Sequence, residues 1–291
     1  MPVTDISVAL CTYNGGRFLR EQLESLASQS VLPAELQVGD DGSTDNTLEI
    51  VEEFARTAPF PVGIARNERQ LGYGENFIQT ARRCSSEWIA FCDQDDVWNA
   101  NKLARCSAEM GEGVSLIVHK ADGDLSPLQH HVNPPLSVFP RWYYYGFCQV
   151  FHRRILSFER RRLPWAVVQD AHDVWVPFVA GMIGTIIWIN EPLATYRQHG
   201  GNVSKTLPKL QEGGITFIDS ASEIASGLGL IEAERRYRRF ANRLRTRVEL
   251  RQSRNPLQLV RLLLSGAYRS GGFDCFGKRG LLSDAKRLLG G

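Results

Sequence analysis

The chain has 291 residues, 43% of them hydrophobic and 23% charged; this is a globular composition with enough length for a sizeable core and one large domain, with or without an appendage. A formal net charge of +2 hides an uneven distribution, because residues 231–291 carry fifteen Lys/Arg against five Asp/Glu while residues 1–230 carry nineteen against twenty-seven. The six cysteines form no CxxC pair, which argues against a zinc site, and MPVTDISVAL lacks the basic start and long apolar region of a signal peptide, so a reducing cytoplasm is expected.

The first half alternates two periods. ISVALC (6–11) is a short β-rich run, and RFLREQLESLASQ (17–29) follows with Phe18, Leu19, Leu23 and Leu26 at helical spacing. The same alternation continues through strands at 35–40, 62–66, 88–92 and 114–119 and helices at 46–55, 75–84 and 101–110. A β-α-β-α rhythm with right-handed crossovers predicts a mostly parallel, twisted, doubly wound sheet with helices on both faces. Ligands of such sheets bind at the carboxyl ends of the strands. Four polar clusters fall there: CTYNGG (11–16), DDGSTD (40–45), RNERQLGYG (66–74) and DQDD (93–96).

The last cluster stands out because Asp93, Asp95 and Asp96 crowd three carboxylates into four positions after the apolar WIAF. Two unit charges about 4 Å apart repel by roughly 4 kcal/mol at an effective dielectric near 20. A divalent cation such as Mg²⁺ or Mn²⁺ would relieve that crowding, and so would a shared proton. The plainer reading is a solvated acidic turn capping the next helix.

Further along, residues 120–140 are rich in Pro, polar residues and His and read as a long loop. His130–His131 lack another spaced ligand and make a weak metal site. RWYYYGFCQVFHRRIL (141–156) offers an aromatic cluster that suits a sugar, a base or a core equally. The longest uncharged run, VWVPFVAGMIGTIIWI (174–189), is sixteen residues long and holds Pro177. It is short of the roughly twenty residues a membrane span needs and reads as buried core. From 231 the pattern is helical and basic, with an apolar stripe of Tyr237, Phe240, Ala241, Leu244 and Val248 flanked by arginines. A second apolar stretch, PLQLVRLLL, covers 256–264. The tail is read either as a helical layer packed on the domain or as a segment that docks on an anionic membrane surface. No nucleic-acid-binding motif is present, and no nucleic acid is expected as a partner.

Taken in order, ISVALCTYNGGRFLREQLESLASQS, LQVGDDGSTDNT, FCDQDDVW, AHDVWV (171–176) and NEPLATYRQHGGNVS (190–204) resemble family-two glycosyltransferases of the GT-A fold, and the last of them their bacterial rhamnosyltransferase-like branch. The resemblance covers about residues 4–205, with a basic helical extension over 206–291. It implies an inverting, metal-dependent transfer from a nucleotide-sugar donor, dTDP-rhamnose by branch, to a cell-surface polysaccharide or lipid-linked glycan. By position, Cys11, Thr12, Tyr13, Asp41, Arg66 and Asn67 would line the base and ribose pocket, and Asp93 would lie near the ribose or donor sugar. Asp95 would hold Mn²⁺ or Mg²⁺ with the diphosphate, Asp96 and His199 would assist at the metal, Arg197 would neutralise phosphate, and Asp173 would be the general base. These residue types suit the reaction: a metal and an arginine stabilise the departing diphosphate, and a carboxylate takes the acceptor hydroxyl's proton. A nucleotidyltransferase would want a glycine-rich, lysine-bearing loop after strand one, and CTYNGGRF has no lysine. A non-catalytic scaffold would not need the DQDD and HD acids.

Overall fold

A computed structural model describes residues 1–123, 145–161, 171–200, 214–253, 255–267, 281 and 284–285. The expected His130–His131 pair, residues 124–140 of the proposed loop, and Trp142 lie outside the described residues. The described chain falls into two compact units, one within residues 1–200 and one within 214–285.

The first unit opens with β1 (Ile6–Thr12), α1 (Leu19–Ala27), β2 (Glu35–Asp40), α2 (Thr47–Ala55), β3 (Val62–Arg66), α3 (Tyr73–Arg83) and β4 (Trp88–Asp93). It continues through β5 (Val97–Trp98), α4 (Lys102–Ser107), β6 (Val114–Gly123), β7 (Gln149–His152), α5 (His172–Ile183) and β8 (Thr185–Tyr196). The eight strands form one sheet in the order β3-β2-β1-β4-β7-β6-β8-β5. β1 pairs in parallel with both β2 and β4, β2 with β3, and β6 with β8. The chain steps one way from β1 to β3 and then jumps back past β1 to β4. Right-handed crossovers therefore place α1 and α2 on one face and α3 on the other. The packing agrees: α1 touches α2, and α3 touches β1, β2 and α5.

Every residue of β1 is buried, as are the first five of β4, so both are central strands with apolar side chains on both faces. Phe91 of β4 is fully buried, with its ring 5.3 Å from Phe77 and 4.7 Å from Phe151.

Two features depart from a simple parallel rhythm. β7 inserts antiparallel between β4 and β6, and the uncharged run 174–189 splits into most of α5 and the start of β8. The break comes at Gly184, where a Cβ would stand 2.5 Å from the Gly113 carbonyl oxygen, so only glycine lets the two backbones approach. Among the described residues no helix is long and apolar enough to cross a membrane.

The second unit contains α6 (Gly214–Gly227), α7 (Ile231–Ser253) and α8 (Pro256–Leu264), with α7 packed on both of the others. Ile218, Ala221, Ile224, Tyr237, Phe240, Ala241 and Leu262 are buried within it. The apolar stripe read on α7 thus faces inward at its first three positions, while Leu244 and Val248 are half-buried.

Replacing Phe91 by Ala removes a fully buried ring from the centre of the sheet and is expected to lower the unfolding free energy by about 3–5 kcal/mol in urea titration.

Candidate active site

The crevice lies where β1 has β2 on one side and β4 on the other, so that the crossovers diverge. Thr12 at the end of β1 stands opposite Asp40 of β2, and Cys11 stands opposite Asp93 of β4.

On the β2 side, Asp40 is fully buried and organises the loop. Its carboxylate accepts from the Thr12 hydroxyl at 3.1 Å and from the backbone N–H groups of Gly42 and Ser43 at 3.1 and 3.0 Å. Asp41 reaches the next loop instead. It accepts from Asn67 Nδ2 at 2.8 Å and from the N–H groups of Leu71 and Gly72 at 2.7 and 2.9 Å. Gly72 takes φ +83° there, a conformation that favours glycine. Asn67 also donates to Asn76 Oδ1, and Arg66 donates to the Ser43 carbonyl. Tyr13, Asp41, Gly42, Arg66, Asn67, Glu68, Arg69 and Gln70 line a cavity of about 450 Å³. Of the β1 residues expected at the donor, Tyr13 lines this cavity and is exposed. Thr12 turns its hydroxyl to Asp40, and Cys11 is buried with its Sγ 3.5 Å from Thr80 Oγ1. Burial pushes the Cys11 thiol well up, so it stays protonated.

On the β4 side the carboxylates are brought to residues a hundred positions later by one short pairing. β5 runs antiparallel to β8 with Val97 opposite Thr195. Continuing that register sets Asp96 opposite Tyr196 and Asp95 opposite Arg197. Arg197 N–H donates to Asp96 Oδ1 at 3.0 Å, its Nε donates to the Asp95 carbonyl at 2.9 Å, and its Nη2 pairs with Glu21. His199 Nε2 lies 2.7 Å from Asp95 Oδ2. The Phe18 ring supports this end, with the His199 ring centroid at 4.8 Å and the Arg197 guanidinium at 4.9 Å.

Asp96 is 1% exposed. Burial and the Asp95 charge push its carboxyl up to about 8, against the pull of the Arg197 N–H and the Lys102 charge. Asp93 is held well above the carboxylate range by burial and by Asp96, Asp95 and Asp173. Asp173 occupies the first turn of α5, and burial raises it to about 7. Its backbone carbonyl would have accepted from residue 177, which is a proline; Gln149 Nε2 donates to it instead at 3.0 Å.

Three contributors had no signal in the sequence reading. The Gln94 amide clasps Tyr13, accepting from its N–H at 2.9 Å and donating to its carbonyl at 3.2 Å. Gln149, on β7, holds the Asp173 carbonyl as described above. Lys102 is fully buried, with Nζ 2.6 Å from the Phe147 carbonyl and 3.2 Å from the Trp98 ring centroid. Burial lowers it to about 8. A lysine one residue into a short helix looks like surface, and only the fold shows that it is internal.

Among the described residues no three of His, Cys, Asp and Glu converge tightly enough to hold a metal ion by themselves. The oxygen donors at Asp95 and Asp96 nevertheless suit Mg²⁺ or Mn²⁺, because Mg²⁺ commonly takes one or two protein carboxylates and completes its shell with substrate phosphates and water.

The raised Asp96 carboxyl has a pH signature. A carboxyl near 8 when folded and near 4 when unfolded favours the folded state only while protonated, so stability is lost as pH rises from about 4 to about 8. Asp96→Asn keeps an acceptor for Arg197 and removes the ionisation. In metal-free buffer this variant is expected to melt several degrees above wild type at pH 8, with the gap closing toward pH 4, by differential scanning calorimetry.

Residues 7–147 match the family model Glycosyl transferase family 2. Over 98 residues the chain is 37% identical to a dTDP-rhamnosyl transferase, RfbG, of Shigella flexneri, covering 32% of this chain and 34% of that protein. Over 215 residues it is 27% identical to an uncharacterized glycosyltransferase of Nostoc, covering 68% and 66%. The match therefore spans about a third of the first relative and just under two thirds of the second. Among solved structures, Staphylococcus aureus TarS 1–349 with UDP-GlcNAc superposes with a TM-score of 0.56 at 21% identity, over 77% of this chain and 66% of that one. The mannosyltransferase PcManGT of Pyrobaculum calidifontis with GDP-Man and Mn²⁺ gives 0.53 at 17% identity, over 99% and 75%. Residues 7–147, just under half of the chain, are thus similar to glycosyl transferase family 2, and the mixed, mostly parallel sheet is the GT-A fold.

Proposed function

We propose that the chain is an inverting glycosyltransferase that moves a sugar from a nucleotide-sugar donor, dTDP-rhamnose, to a cell-surface polysaccharide or a lipid-linked glycan. The observation that carries this reading is the division of labour across β1. A cavity lined by two acids and two arginines opens at the ends of β2 and β3, and a crowded acid cluster with a base-range carboxyl lies beyond β4. Two strand spacings of about 4.8 Å separate β2 from β4, a distance a nucleotide bridges from base to diphosphate. The relative in Shigella supports the rhamnosyl donor, and the complexes of TarS with UDP-GlcNAc and of PcManGT with GDP-Man and Mn²⁺ support a nucleotide-sugar and a divalent ion.

In this reading residues 1–205 are the catalytic domain. Tyr13, Arg66 and Asn67 receive the base and ribose, with Thr12 and Cys11 holding the strand end beneath them. Asp41 shapes the pocket through its bonds to Leu71, Gly72 and Asn67 and offers its remaining lone pairs to the base. Asp93 faces the ribose or donor sugar. Asp95, with Asp96 and His199 beside it and the diphosphate oxygens completing the set, would hold Mn²⁺ or Mg²⁺. When bound, the ion supplies Lewis-acid stabilisation of the departing diphosphate. Arg197 adds fixed positive charge at the same place. Asp173 takes the proton from the acceptor hydroxyl as that oxygen attacks the anomeric carbon opposite the leaving group, which inverts the configuration. A lipid-linked acceptor is met at a membrane surface, and the basic extension 206–291 brings the enzyme to the cytoplasmic face of the plasma membrane.

Thermal shifts with UDP, dTDP and GDP, each with and without Mn²⁺, test the site. At about 100 times its Kd the right nucleotide adds roughly 2.7 kcal/mol of stability. The expected result is a Mn²⁺-dependent shift with dTDP that Asp95→Ala abolishes; no shift with any of the three would overturn the donor site.

The base is tested separately. Because a carboxyl near 7 is an acid below that pH and a base above it, the transfer rate should rise about tenfold per pH unit below 7 and level off above it. Asp173→Asn should lower transfer by about 10²–10⁴-fold and leave the nucleotide thermal shift intact. A variant that transfers at the wild-type rate would remove Asp173 from the mechanism.

A further inference from the structure

In the second unit, α8 is a stable helix with its apolar side turned outward. Asn255 caps it by accepting from the Leu257 N–H at 3.0 Å, and Pro256 begins it. Leu262 faces inward and is 1% exposed. Leu257 and Leu264 are 65% and 84% exposed, and Val260 and Leu263 are close to half exposed. Leu257, Val260 and Leu264 follow the i, i+3, i+7 spacing of one helical face. Arg261, at i+4, lies on that same face, is exposed, and is the one charged residue in Pro256–Leu264. An ordered helix that keeps four large apolar side chains in water marks an interaction site.

We infer that this face of α8 docks on an anionic lipid bilayer, lying on the surface with Leu257, Val260, Leu263 and Leu264 among the acyl chains and Arg261 at the headgroups. The inference rests on the membrane part of the proposed function and names the surface that performs it. Charge selects the occupant. A protein groove that received these leucines would bury the Arg261 guanidinium among them, whereas at a bilayer the side chain extends to the phosphates while its stem stays with the leucines. Neighbouring charge is mixed at the start of α8, where Glu249 of α7 accepts from Gln258 Nε2 at 2.9 Å, and positive at its end, where Arg243 of α7 donates to the Ser265 carbonyl. Residues 231–291 as a whole carry fifteen basic against five acidic side chains, a composition that an anionic leaflet attracts. Area argues against a second copy as the occupant: four partly exposed side chains offer well under the ~800 Å² per partner of a stable protein interface.

The test is flotation of the full-length chain with phosphatidylcholine vesicles, with and without phosphatidylglycerol, alongside Leu257→Ser/Leu264→Ser and Arg261→Glu. All three positions are exposed, so the variants should keep the wild-type melting temperature and circular dichroism spectrum. The expected result is binding of wild type to the anionic vesicles, weakened by high salt, and a loss of about tenfold or more in affinity for each variant. If wild type floats and the variants float equally well, the extension reaches membranes by another surface and the α8 assignment falls. If wild type does not float, both the assignment and the peripheral-membrane reading fall. A concentration-dependent dimer in sedimentation that the leucine variant abolishes would make the face a self-interface and overturn the inference. None of these outcomes bears on the nucleotide shifts, so the sugar-transfer reading stands or fails on its own.

Discussion

The structure turns on an excess of negative charge at the end of β4. Asp93 ends a strand buried on both faces, Asp95 and Asp96 follow it, and Asp173 adds its field from α5. Repulsion between close carboxylates is worth roughly 4 kcal/mol per pair at short range. A hydrogen bond to a charged group returns about 1.5–3 kcal/mol. The protein supplies a few such groups: the Arg197 N–H on Asp96, His199 on Asp95, and the buried charge of Lys102 at longer range. They do not balance the cluster, and the raised carboxyls of Asp93 and Asp96 express the deficit. The site is built to accept positive charge, as protons in the free protein or as a cation with the donor in the proposed reaction.

The same region shows why remote parts of the chain are needed. The antiparallel pairing of β5 with β8 is two residues long, is extended by the Asn99 bonds to the Leu193 and Pro192 carbonyls, and sets Asp95 and Asp96 against Arg197. Phe18, from the turn before α1, then packs against both His199 and Arg197. On the other wall Pro177 leaves the Asp173 carbonyl without its helical donor, and Gln149 on β7 fills the gap. That bond ties the first turn of α5 to the sheet and fixes where the Asp173 side chain begins. A helix N-terminus ordinarily favours an ionised carboxylate. Here burial outweighs that pull and leaves Asp173 near 7.

Much of the first half was legible because its strands are short β-rich runs and its helices carry clear apolar stripes; β1 to β4 and α1 to α3 fall where the periods place them. The polar clusters were legible because strand ends of a parallel sheet are where side chains meet a ligand. The second half was harder for physical reasons. The run 174–189 is apolar throughout, and period alone cannot divide a buried helix from a buried strand; the division depends on Gly184 meeting the Gly113 backbone. β5 is too short to carry a period, and β7 contains Gln149 and His152, whose polarity masks a strand. Gln94, Gln149 and Lys102 act through tertiary contacts alone. Pro177 was the one local clue, since a proline inside a helix frees a carbonyl that something must satisfy.

The two sides of the crevice differ in how complete they are. Around Asp40 and Asp41 the hydrogen bonds are made within the protein: each carboxylate has three donors, and the loops after β1, β2 and β3 are locked to one another. Such a pocket is pre-organised and spends little on ordering when a base arrives. Around Asp93 and Asp96 the carboxyls are strained by their neighbours and hold protons they would shed beside a cation. In the proposed reaction the nucleotide therefore meets a rigid half first, and its diphosphate brings the oxygen ligands that the acid half lacks. In that proposal metal and nucleotide would strengthen each other's binding, because each would supply what the other needs: the ion would neutralise carboxylates and phosphates together, and neither partner alone would resolve the crowding. The charge that looks like a defect of the free protein would then be the source of that coupling.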